Sequence, residues 1–537
     1  MHDIEVIVIL LAVMAALSAV AEMIKISYPV LLVIVGLGIG LIPGLPIIQL
    51  KPEIVFFVFL PPLLYASAWT TSWHEFKKLK RPITMLAIGL VLFTTSMVAV
   101  VAHYMIPDLS WPLAFLLGAI ISPPDAVAAT SVTKGLNVPK RVLTILEGES
   151  LVNDASGIIA FRYAVIAVTT GNFVFWEAGL NFILVVAGGI MIGLMVGYLF
   201  YYIHKLCTTS SAIDVMLTLI TPFIAYILAE RIHTSGVLAV VVAGLFLTYR
   251  ASEMFTHQTR INANAVWETI VFILNGVIFI LIGLQLPAIL KGIHNHSLPG
   301  LIFYGLVIGV VVMVVRILWV YPGAYVPRML SYKIRTTEPR PSWQAVFITG
   351  WTGMRGVVSL AAALALPTMM DNGLPFPQRD LILFVTFVII MFTLVFQGLT
   401  LPYVVKKLNL PPSNEEEVEE QKARVELASS AILHIEENYG MGIVHDEVLN
   451  QVKNKYELKI NHLNRQVRTE DSMKNSTVLF NQLNRMQKDL LNVERDIILK
   501  MHKKGTVGEE VLRRLEYELD LEESRLELDE KMVATHV

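Results

Sequence analysis

The feature that most constrains this chain is a series of long apolar segments that recurs from the N-terminus to about Val405. A helix needs about 20 mostly apolar residues to cross a bilayer. Over all 537 residues, 55% are hydrophobic and only 16% are charged, which predicts an all-α polytopic membrane protein rather than a soluble enzyme. We place about thirteen spans, near residues 4–23, 28–43, 53–70, 83–105, 111–132, 142–169, 173–203, 211–230, 234–249, 266–288, 299–321, 343–367 and 381–405.

The distribution of Lys and Arg predicts the orientation of these spans. Alternate loops are rich in basic residues, for example within 77–81 and 328–340, whereas the opposite loops carry only Lys51, Arg231, Lys291 and Arg379. Because cytoplasmic loops carry the excess of positive charge, we expect an extracellular N-terminus and a cytoplasmic C-terminus in the plasma membrane. An odd number of spans likewise places the two termini on opposite sides of the membrane.

The composition changes abruptly after Pro411-Pro412. We therefore divide the chain into a transmembrane domain, 1–408, and a soluble helical tail, 409–537. Apolar residues recur at helical spacing in the tail, with a turn predicted at 505–508. A plain amphipathic bundle is the simplest interpretation; a regulator or the other protomer is a candidate partner. The tail's periodic positions are Leu479, Leu483, Met486, Leu490 and Val493, then Val511, Leu512, Leu515, Leu519 and Leu521.

The stretch 147–155, EGESLVNDA, carries three carboxylates and runs directly into an apolar segment. A helix here would place Ser150 and Asp154 on one face, with Asn153 beside them. A carboxylate within the bilayer is costly, so Asp154 is a candidate functional residue. In the alternative, Asp154 pairs with Arg162 or Arg355 and only holds helices together.

Two spans contain residues that interrupt a helix. The fifth contains Ser122-Pro123-Pro124-Asp125, and two prolines remove two backbone donors. The twelfth contains three glycines within 349–356. Spans seven apart cross the bilayer in opposite directions, and paired interrupted spans in inverted halves indicate a transporter ion site. Positive half-helix ends would suit Asp125, and negative ends would suit Arg355. A simple kink and close helix packing are the alternatives.

Several motifs, in one consistent order, resemble those of the sodium/proton exchanger family, the electroneutral branch of monovalent cation:proton antiporters, in its bacterial form. The resemblance covers residues 1 to about 405. Its motifs are Gly148-Glu149-Ser150-Leu151-Val152-Asn153-Asp154-Ala155, Phe59-Leu60-Pro61-Pro62, Asp125-Ala126-Val127-Ala128, Glu268-Thr269 and Met354-Arg355-Gly356.

The resemblance implies an inverted-repeat fold of thirteen spans with two interrupted, crossing helices. It also implies a homodimer, a core that moves against a scaffold, and a role in sodium transport and pH homeostasis. In the family the residue matching Asp154 binds the ion, Asn153 and Ser150 support it, and Arg355 stabilises the crossed helices. We therefore expect cation and proton binding at Asp154, Asn153, Ser150 and Asp125, with support from Glu149, Arg355, Pro124, Glu268 and Arg316.

The chain departs from the family pattern at two places. Pro124 precedes Asp125 where many members have Thr or Val, and Ala126 follows it where many have Pro. Tyr65-Ala66-Ser67 stands where some relatives carry an acid after the third-span prolines. The resemblance therefore does not extend to two features in this chain: coordination of the ion by backbone carbonyls of the fifth span, and a carboxylate ligand from the third span.

A carboxylate in a watery cavity can hold a proton or a hard alkali cation, but not both, and oxygen ligands suit such a cation. We predict exchange of Na⁺, or Li⁺ or K⁺, for H⁺ in a ratio of 1:1. This ratio requires Glu149 to hold a fixed state, paired with Arg355 or hydrogen-bonded. Potassium/proton exchange on the same fold is one alternative and a cation channel is another.

Enzymatic functions find little support in the sequence. It lacks a phosphate-binding loop, a zinc-protease motif and the Gly-x-Gly-Asp segment of an intramembrane aspartyl protease. The single cysteine, Cys207, excludes an intramolecular disulfide. We expect no enzymatic activity, no cofactor beyond the transported ions and no nucleic-acid partner; the expected surroundings are the lipid bilayer.

Overall fold

The chain divides into a membrane unit, Met1–Pro412, and a C-terminal unit, Ser413–Val537. All regular secondary structure in the described ranges is helical, apart from one isolated bridge between Met369 and Pro375. The computed structural model describes residues 2–24, 26–43, 50–133, 136, 138–171, 175–207, 210–293, 297–338, 340–370, 374–410, 415–439, 446–465, 486–498, 500–501, 511, 515–516 and 518–526.

The membrane unit is built from α-helices with three π-helical turns, Val55–Phe59, Met85–Leu90 and Thr393–Gln397. Its α-helices are α1 (His2–Ile24), α2 (Tyr28–Gly40), α3 (Pro52–Ile54), α4 (Leu60–Thr70), α5 (Trp73–Lys78), α6 (Lys80–Thr84), α7 (Val91–Met105), α8 (Trp111–Ile121), α9 (Ala126–Thr133), α10 (Lys140–Thr170), α11 (Phe175–Cys207), α12 (Ser211–Arg231), α13 (Gly236–Met254), α14 (His257–Leu284), α15 (Leu286–Leu290), α16 (Leu298–Leu330), α17 (Tyr332–Thr337), α18 (Trp343–Trp351), α19 (Val357–Leu364), α20 (Arg379–Phe392) and α21 (Gly398–Leu408).

Ten helical stretches in the described ranges are long and apolar enough to cross a membrane, so the prediction of a polytopic all-α protein is confirmed. The other predicted spans correspond to the shorter apolar helices Val8–Ile24 and Tyr28–Gly40 and to the pair α18 and α19. The count of thirteen stays a prediction. The ten stretches are Pro52–Thr70, Lys80–Met105, Trp111–Thr133, Lys140–Thr170, Gly179–Leu206, Ser211–Arg231, Gly236–Met254, His257–Leu290, Leu298–Leu330 and Arg379–Leu408.

The third-span prolines, Pro61 and Pro62, are preceded directly by a π turn. The Leu60 N–H donates to the Val55 carbonyl, one residue further back than in an α-helix. Pro61 and Pro62 then occupy the first turn of α4, where their missing N–H groups leave no α-helical bond unmade. The span therefore widens at this point and continues as a helix.

Two large apolar clusters fill most of the interior of the membrane unit, and a third, small one consists of Leu86, Leu90, Val320 and Val346. The larger includes buried residues of α7, α8, α14, α19 and α20, such as Leu117, Phe279 and Leu360. The smaller joins α4 to α11, α12 and α13. Since lipid is as apolar as these side chains, close packing rather than water exclusion stabilises such contacts within a bilayer.

The three glycines of the second span, Gly36, Gly38 and Gly40, differ in how closely a neighbouring helix approaches them. A Cβ on Gly36 would overlap the Ile280 carbonyl of α14, so glycine is required where these two helices touch. Gly40 faces the Pro287 ring more loosely, and Gly38 has no neighbour within 4 Å. The close contact at Gly36 holds α2 against α14, which also lines the site described below.

The C-terminal unit contains α22 (Glu415–Tyr439) and α23 (Asp446–Arg465), joined by an ion pair between Glu436 and Lys453. Residues within 486–498 and 518–526 are also helical, and Arg495 pairs there with Asp520 and Glu523. The change in composition at Pro411-Pro412 and the predicted turn at 505–508 lie outside the described residues, as do Leu479, Leu483 and Leu512. The domain boundary between 408 and 409 stays a prediction.

Candidate functional site

The fifth span is interrupted where its two prolines stand. α8 ends at Ile121 and α9 begins at Ala126, so residues 122–125 are not helical. The twelfth span is interrupted in the same way, between α18 and α19, at residues 352–356. The Asp125 N–H donates to the Met354 carbonyl at 2.7 Å, which joins the two interruptions directly. The prediction of two broken helices that meet is therefore confirmed.

Arg355 lies at the C-terminal ends of both broken helices. It is fully buried, and its Nε donates to the Ile121 carbonyl at 2.9 Å. Its two terminal nitrogens donate to the carbonyls of Ser122 (3.3 Å) and Gly353. These carbonyls form the negative ends of α8 and α18, which a cation stabilises. Carbonyl partners for Arg355, predicted as one option, are confirmed.

Asp125 lies at the opposite, N-terminal ends. Its Oδ1 accepts the Val127 N–H at 2.9 Å, within the first turn of α9. The backbone amides of Ala128 and Val357 also interact with this carboxylate, and Val357 begins α19. A carboxylate at two helix N-termini is favoured by the same end charges that favour Arg355 at the other pair of ends. The crossing thus holds the Asp125 carboxylate at one pair of helix ends and the Arg355 guanidinium at the other pair.

α10 supplies the predicted ion-binding residues. The Asn153 Nδ2 donates to the Pro124 carbonyl at 3.0 Å, and the Ser150 Oγ accepts the Ala126 N–H at 3.4 Å. Both side chains therefore hold α10 against the break in the fifth span. The Asn153 Oδ1 is buried and makes no hydrogen bond to any described residue.

Asp154 lies on the same face as Ser150, one helical turn further on, and is only 7% exposed. Its side chain forms neither a hydrogen bond nor an ion pair with any described residue. The alternative in which Arg162 or Arg355 neutralises it is wrong: Arg162 pairs with Glu230 at 2.7 Å, and Arg355 is taken by carbonyls. A buried carboxylate with no counter-charge requires a proton or a cation.

A cavity of about 60 Å³ lies against Asp154. Asp125 and Ser150 line it from the same side, together with Pro124. Carboxylate and hydroxyl oxygens thus converge on a space large enough for a dehydrated or partly hydrated alkali cation. Across the cavity, α4 and α14 contribute mainly apolar side chains, with the exceptions of Ser67 and Asn275.

Glu149 points away from this cavity and pairs with Arg316. The guanidinium donates to both carboxylate oxygens, at 2.5 and 2.7 Å, and its Nε donates to the Thr349 carbonyl at 3.1 Å. Both side chains are 1% exposed. The expectation that Arg355 would be the partner of Glu149 is therefore wrong. The expectation of a fixed, paired Glu149 is consistent with this geometry.

Glu268 is not brought to the site. It is exposed on α14, whereas its neighbour Trp267 is buried and donates to the Thr218 hydroxyl. The polar residue of α14 that lines the cavity is Asn275, two turns further along. Sequence reasoning missed Asn275 and Ser67, although a lone amide inside the apolar run 270–284 could have singled out Asn275.

Residues 8–407 match the family described as "Sodium/hydrogen exchanger, transmembrane". A "Sodium, potassium, lithium and rubidium/H(+) antiporter" of Bacillus pumilus is 34% identical over 472 residues, covering 86% of this chain and 69% of that protein. An "Na(+)/H(+) antiporter" of Aphanothece halophytica is 32% identical, covering 74% of this chain and 72% of that one.

A similar protein of Mycobacterium bovis extends through both units. It is described as an "Uncharacterized Na(+)/H(+) exchanger" and is 32% identical over 526 residues, covering 97% of this chain and 96% of its own. Among solved structures, the sodium proton antiporter MjNhaP1 from Methanocaldococcus jannaschii matches with a TM-score of 0.60 at 20% identity. That match covers 76% of this chain and 99% of the other and supports the fold alone.

Proposed function

Because this chain belongs to the sodium/hydrogen exchanger family, we propose that it exchanges one monovalent cation for one proton, with Asp154 carrying each in turn. The protein is a multi-pass membrane transporter of the antiporter class. We propose Na⁺ as the principal cation, with Li⁺ and K⁺ as competing substrates, and transport without chemical turnover or a cofactor.

One observation carries the proposal for Asp154. Its carboxylate is buried against a small cavity, and the two arginines considered as its partners, Arg162 and Arg355, bind other groups. A charge in that position is stable only when a mobile ion neutralises it. Na⁺ and H⁺ therefore compete for one group, and a carrier that moves only when this group is loaded couples the two gradients.

The 1:1 ratio rests on the fixed state of the other acids. Glu149 is held by Arg316, and Asp125 is held by backbone amides at two helix ends. Asn153 is neutral and carries no proton. Each half-cycle then moves the same net charge, so the equilibrium should not depend on membrane potential.

The first experiment compares Asp154→Asn with the unchanged protein in proteoliposomes, by sodium-driven proton flux. We expect exchange to disappear while the folded protein keeps its melting temperature within a few degrees. Asp380→Asn is the matched control, since Asp380 is half-exposed at the start of α20 and should leave exchange unchanged. Normal exchange by Asp154→Asn would disprove the proposed carrier.

The second experiment measures the stoichiometry. The potential is clamped with potassium and valinomycin, and the sodium gradient that just balances a set pH gradient is determined. One charge moved through the membrane field is worth about 2.3 kcal/mol per 100 mV. A balance point that shifts with potential would mean a second proton per cycle. A current without coupled proton movement would favour the channel alternative.

We further propose a homodimer in the plasma membrane, with an extracellular N-terminus and a cytoplasmic tail that binds a regulator or the other protomer. The asymmetry of basic residues between alternate loops supports the orientation, and the change in composition after the last span supports a soluble tail. The homodimer is proposed from the family resemblance alone. Cysteine labelling of exposed positions at each end, in intact cells and in opened vesicles, tests the orientation.

A further inference from the structure

The cavity beside Asp154 has polar groups in its wall that the ion-binding residues predicted from the sequence do not include. Ser359 of α19 and Asn275 of α14 both line it. They are 1% and 3% exposed, respectively. The predicted ion-binding residues all come from α10 and from the break in the fifth span. Ser359 and Asn275 therefore belong to a second part of the wall, which two other helices contribute.

The hydroxyl of Ser359 is buried without a hydrogen-bond partner. A serine within a helix commonly donates to the carbonyl three or four residues earlier, as Ser131 does to Val127 at 2.7 Å. The Ser359 Oγ makes no bond of this kind, and none to any other residue that the structure describes. A buried polar atom without a partner is unfavourable. Since Ser359 borders the cavity of Asp154, an ion or a water in that cavity is the partner that can reach it.

Asn275 is oriented by a tyrosine of the second span. The Tyr28 hydroxyl interacts with the side chains of Asn275 and Ser131, and the Tyr28 ring packs against Phe272, with centroids 5.7 Å apart. The Ser131 hydroxyl already donates to the Val127 carbonyl, so it accepts from Tyr28, and the Tyr28 oxygen accepts from the Asn275 Nδ2. An amide held in this way leaves its Oδ1, an acceptor, for the cavity.

The size of the cavity limits how much water a bound cation keeps. A space of about 60 Å³ holds roughly four to six water-sized particles, the cation included. A cation bound there therefore exchanges part of its hydration shell for oxygens of the protein. Asp154 supplies the charge for this exchange, whereas hydroxyl and amide oxygens add ligands without adding charge.

We propose that Ser359 and Asn275 are ligands of the transported cation and determine the preference among Na⁺, Li⁺ and K⁺. This inference rests on the proposed exchange at Asp154 and adds residues to the same site. The selectivity of an ion site depends on its size and on the number and strength of its oxygen ligands. The proton binds Asp154 without such ligands. Ser359 and Asn275 therefore affect the affinity for the cation and leave the affinity for the proton unchanged.

The first test separates these two affinities in proteoliposomes. The KM for the cation is extrapolated to high pH, where protons no longer compete for Asp154, and the inhibition constant of the proton is taken from the pH dependence of that KM. Ser359→Ala and Asn275→Ala should each raise the KM for Na⁺ roughly tenfold, because one ligand is lost. The inhibition constant of the proton should stay the same. The ratio of the KM for K⁺ to that for Na⁺ should fall, because the enlarged cavity suits the larger ion better.

Two matched controls use the same substitutions elsewhere. Ser18→Ala removes a hydroxyl of α1 that is also buried without a partner among the described residues and does not line the cavity. Asn264→Ala removes an amide of α14 that is exposed and accepts a hydrogen bond from Trp69. Both controls should keep the KM for Na⁺ and the ratio between K⁺ and Na⁺.

The second test measures binding without transport. The melting temperature of the full-length protein in detergent is determined at high pH while NaCl replaces choline chloride at constant ionic strength. Because a ligand that binds only the folded state stabilises it, Na⁺ should raise the melting temperature of the unchanged protein to a plateau. Ser359→Ala and Asn275→Ala should need roughly tenfold more Na⁺ for the same increase.

Three results would overturn the inference. They are an unchanged Na⁺ dependence in both tests, an equal change in the constants for Na⁺ and for the proton, and the same effect in the control variants. If Asn275→Ala fails to fold, Ser359→Ala, the smaller change, decides the matter. Any of these results together with an inactive Asp154→Asn would refute the added ligands and leave the proposed exchange intact. Normal exchange by Asp154→Asn, with weaker Na⁺ binding by Ser359→Ala, would refute the carrier and keep the ligands.

Discussion

Replacing Glu149 should destabilise the membrane unit strongly without removing the proposed ion carrier. The Glu149 carboxylate accepts two short hydrogen bonds from Arg316, and both side chains are 1% exposed. In Glu149→Gln, the buried guanidinium keeps only the Thr349 carbonyl as a full acceptor. Removing one partner of such a pair costs about 3–5 kcal/mol, because an uncompensated charge stays buried.

This loss is large enough to measure as a thermal shift. For a unit of 412 residues, the entropy of unfolding typical of globular domains converts it to a decrease in melting temperature of roughly 4–6 °C. Glu253→Gln is the matched control, since Glu253 forms an exposed pair with Arg250, and exposed pairs contribute little. Its melting temperature should stay close to that of the unchanged protein.

A double-mutant cycle separates loss of the ion pair from general damage. Glu149→Leu and Arg316→Met should each lower the melting temperature, whereas the double variant should recover much of the loss, because apolar side chains of similar size can replace a buried ion pair. Additive losses would refute the reasoning, as would a Glu149→Gln variant of normal stability. Any exchange that Glu149→Gln retains should remain independent of membrane potential, since Glu149 carries no transported proton.

Three further predictions concern the ion site and the helix crossing. Arg355→Gln should lower both melting temperature and exchange, because the C-terminal carbonyls of two broken helices lose their cation; normal stability would contradict the assigned role. Gly356→Ala should reduce exchange, since its Cβ would overlap the Asp125 carboxylate, whereas Gly38→Ala, with open space around it, should behave like the unchanged protein. The KM for Na⁺ should rise as the pH falls, because protons compete for Asp154; a falling maximal rate at constant KM would instead indicate separate sites for the two ions.

Some of this architecture follows from local sequence chemistry. Consecutive prolines at 123 and 124 cannot continue an α-helix, so the break in the fifth span is set by the residues themselves. A carboxylate inside an apolar segment is too costly to be incidental, which singled out Asp154 from the sequence. Basic residues in alternate loops and the length of the apolar segments similarly indicate a polytopic membrane protein.

The partners of the charged residues were decided by tertiary structure. Glu149 pairs with Arg316, 167 positions away, and no local spacing distinguishes Arg316 from Arg355 as its partner. The choice depends on how α10, α16 and α18 are rotated and how deeply they pack. Asn275 reaches the cavity for the same reason, whereas Glu268, two turns earlier on α14, does not. Sequence determines where a helix breaks and which groups are costly to bury, but only packing decides which of those groups meet.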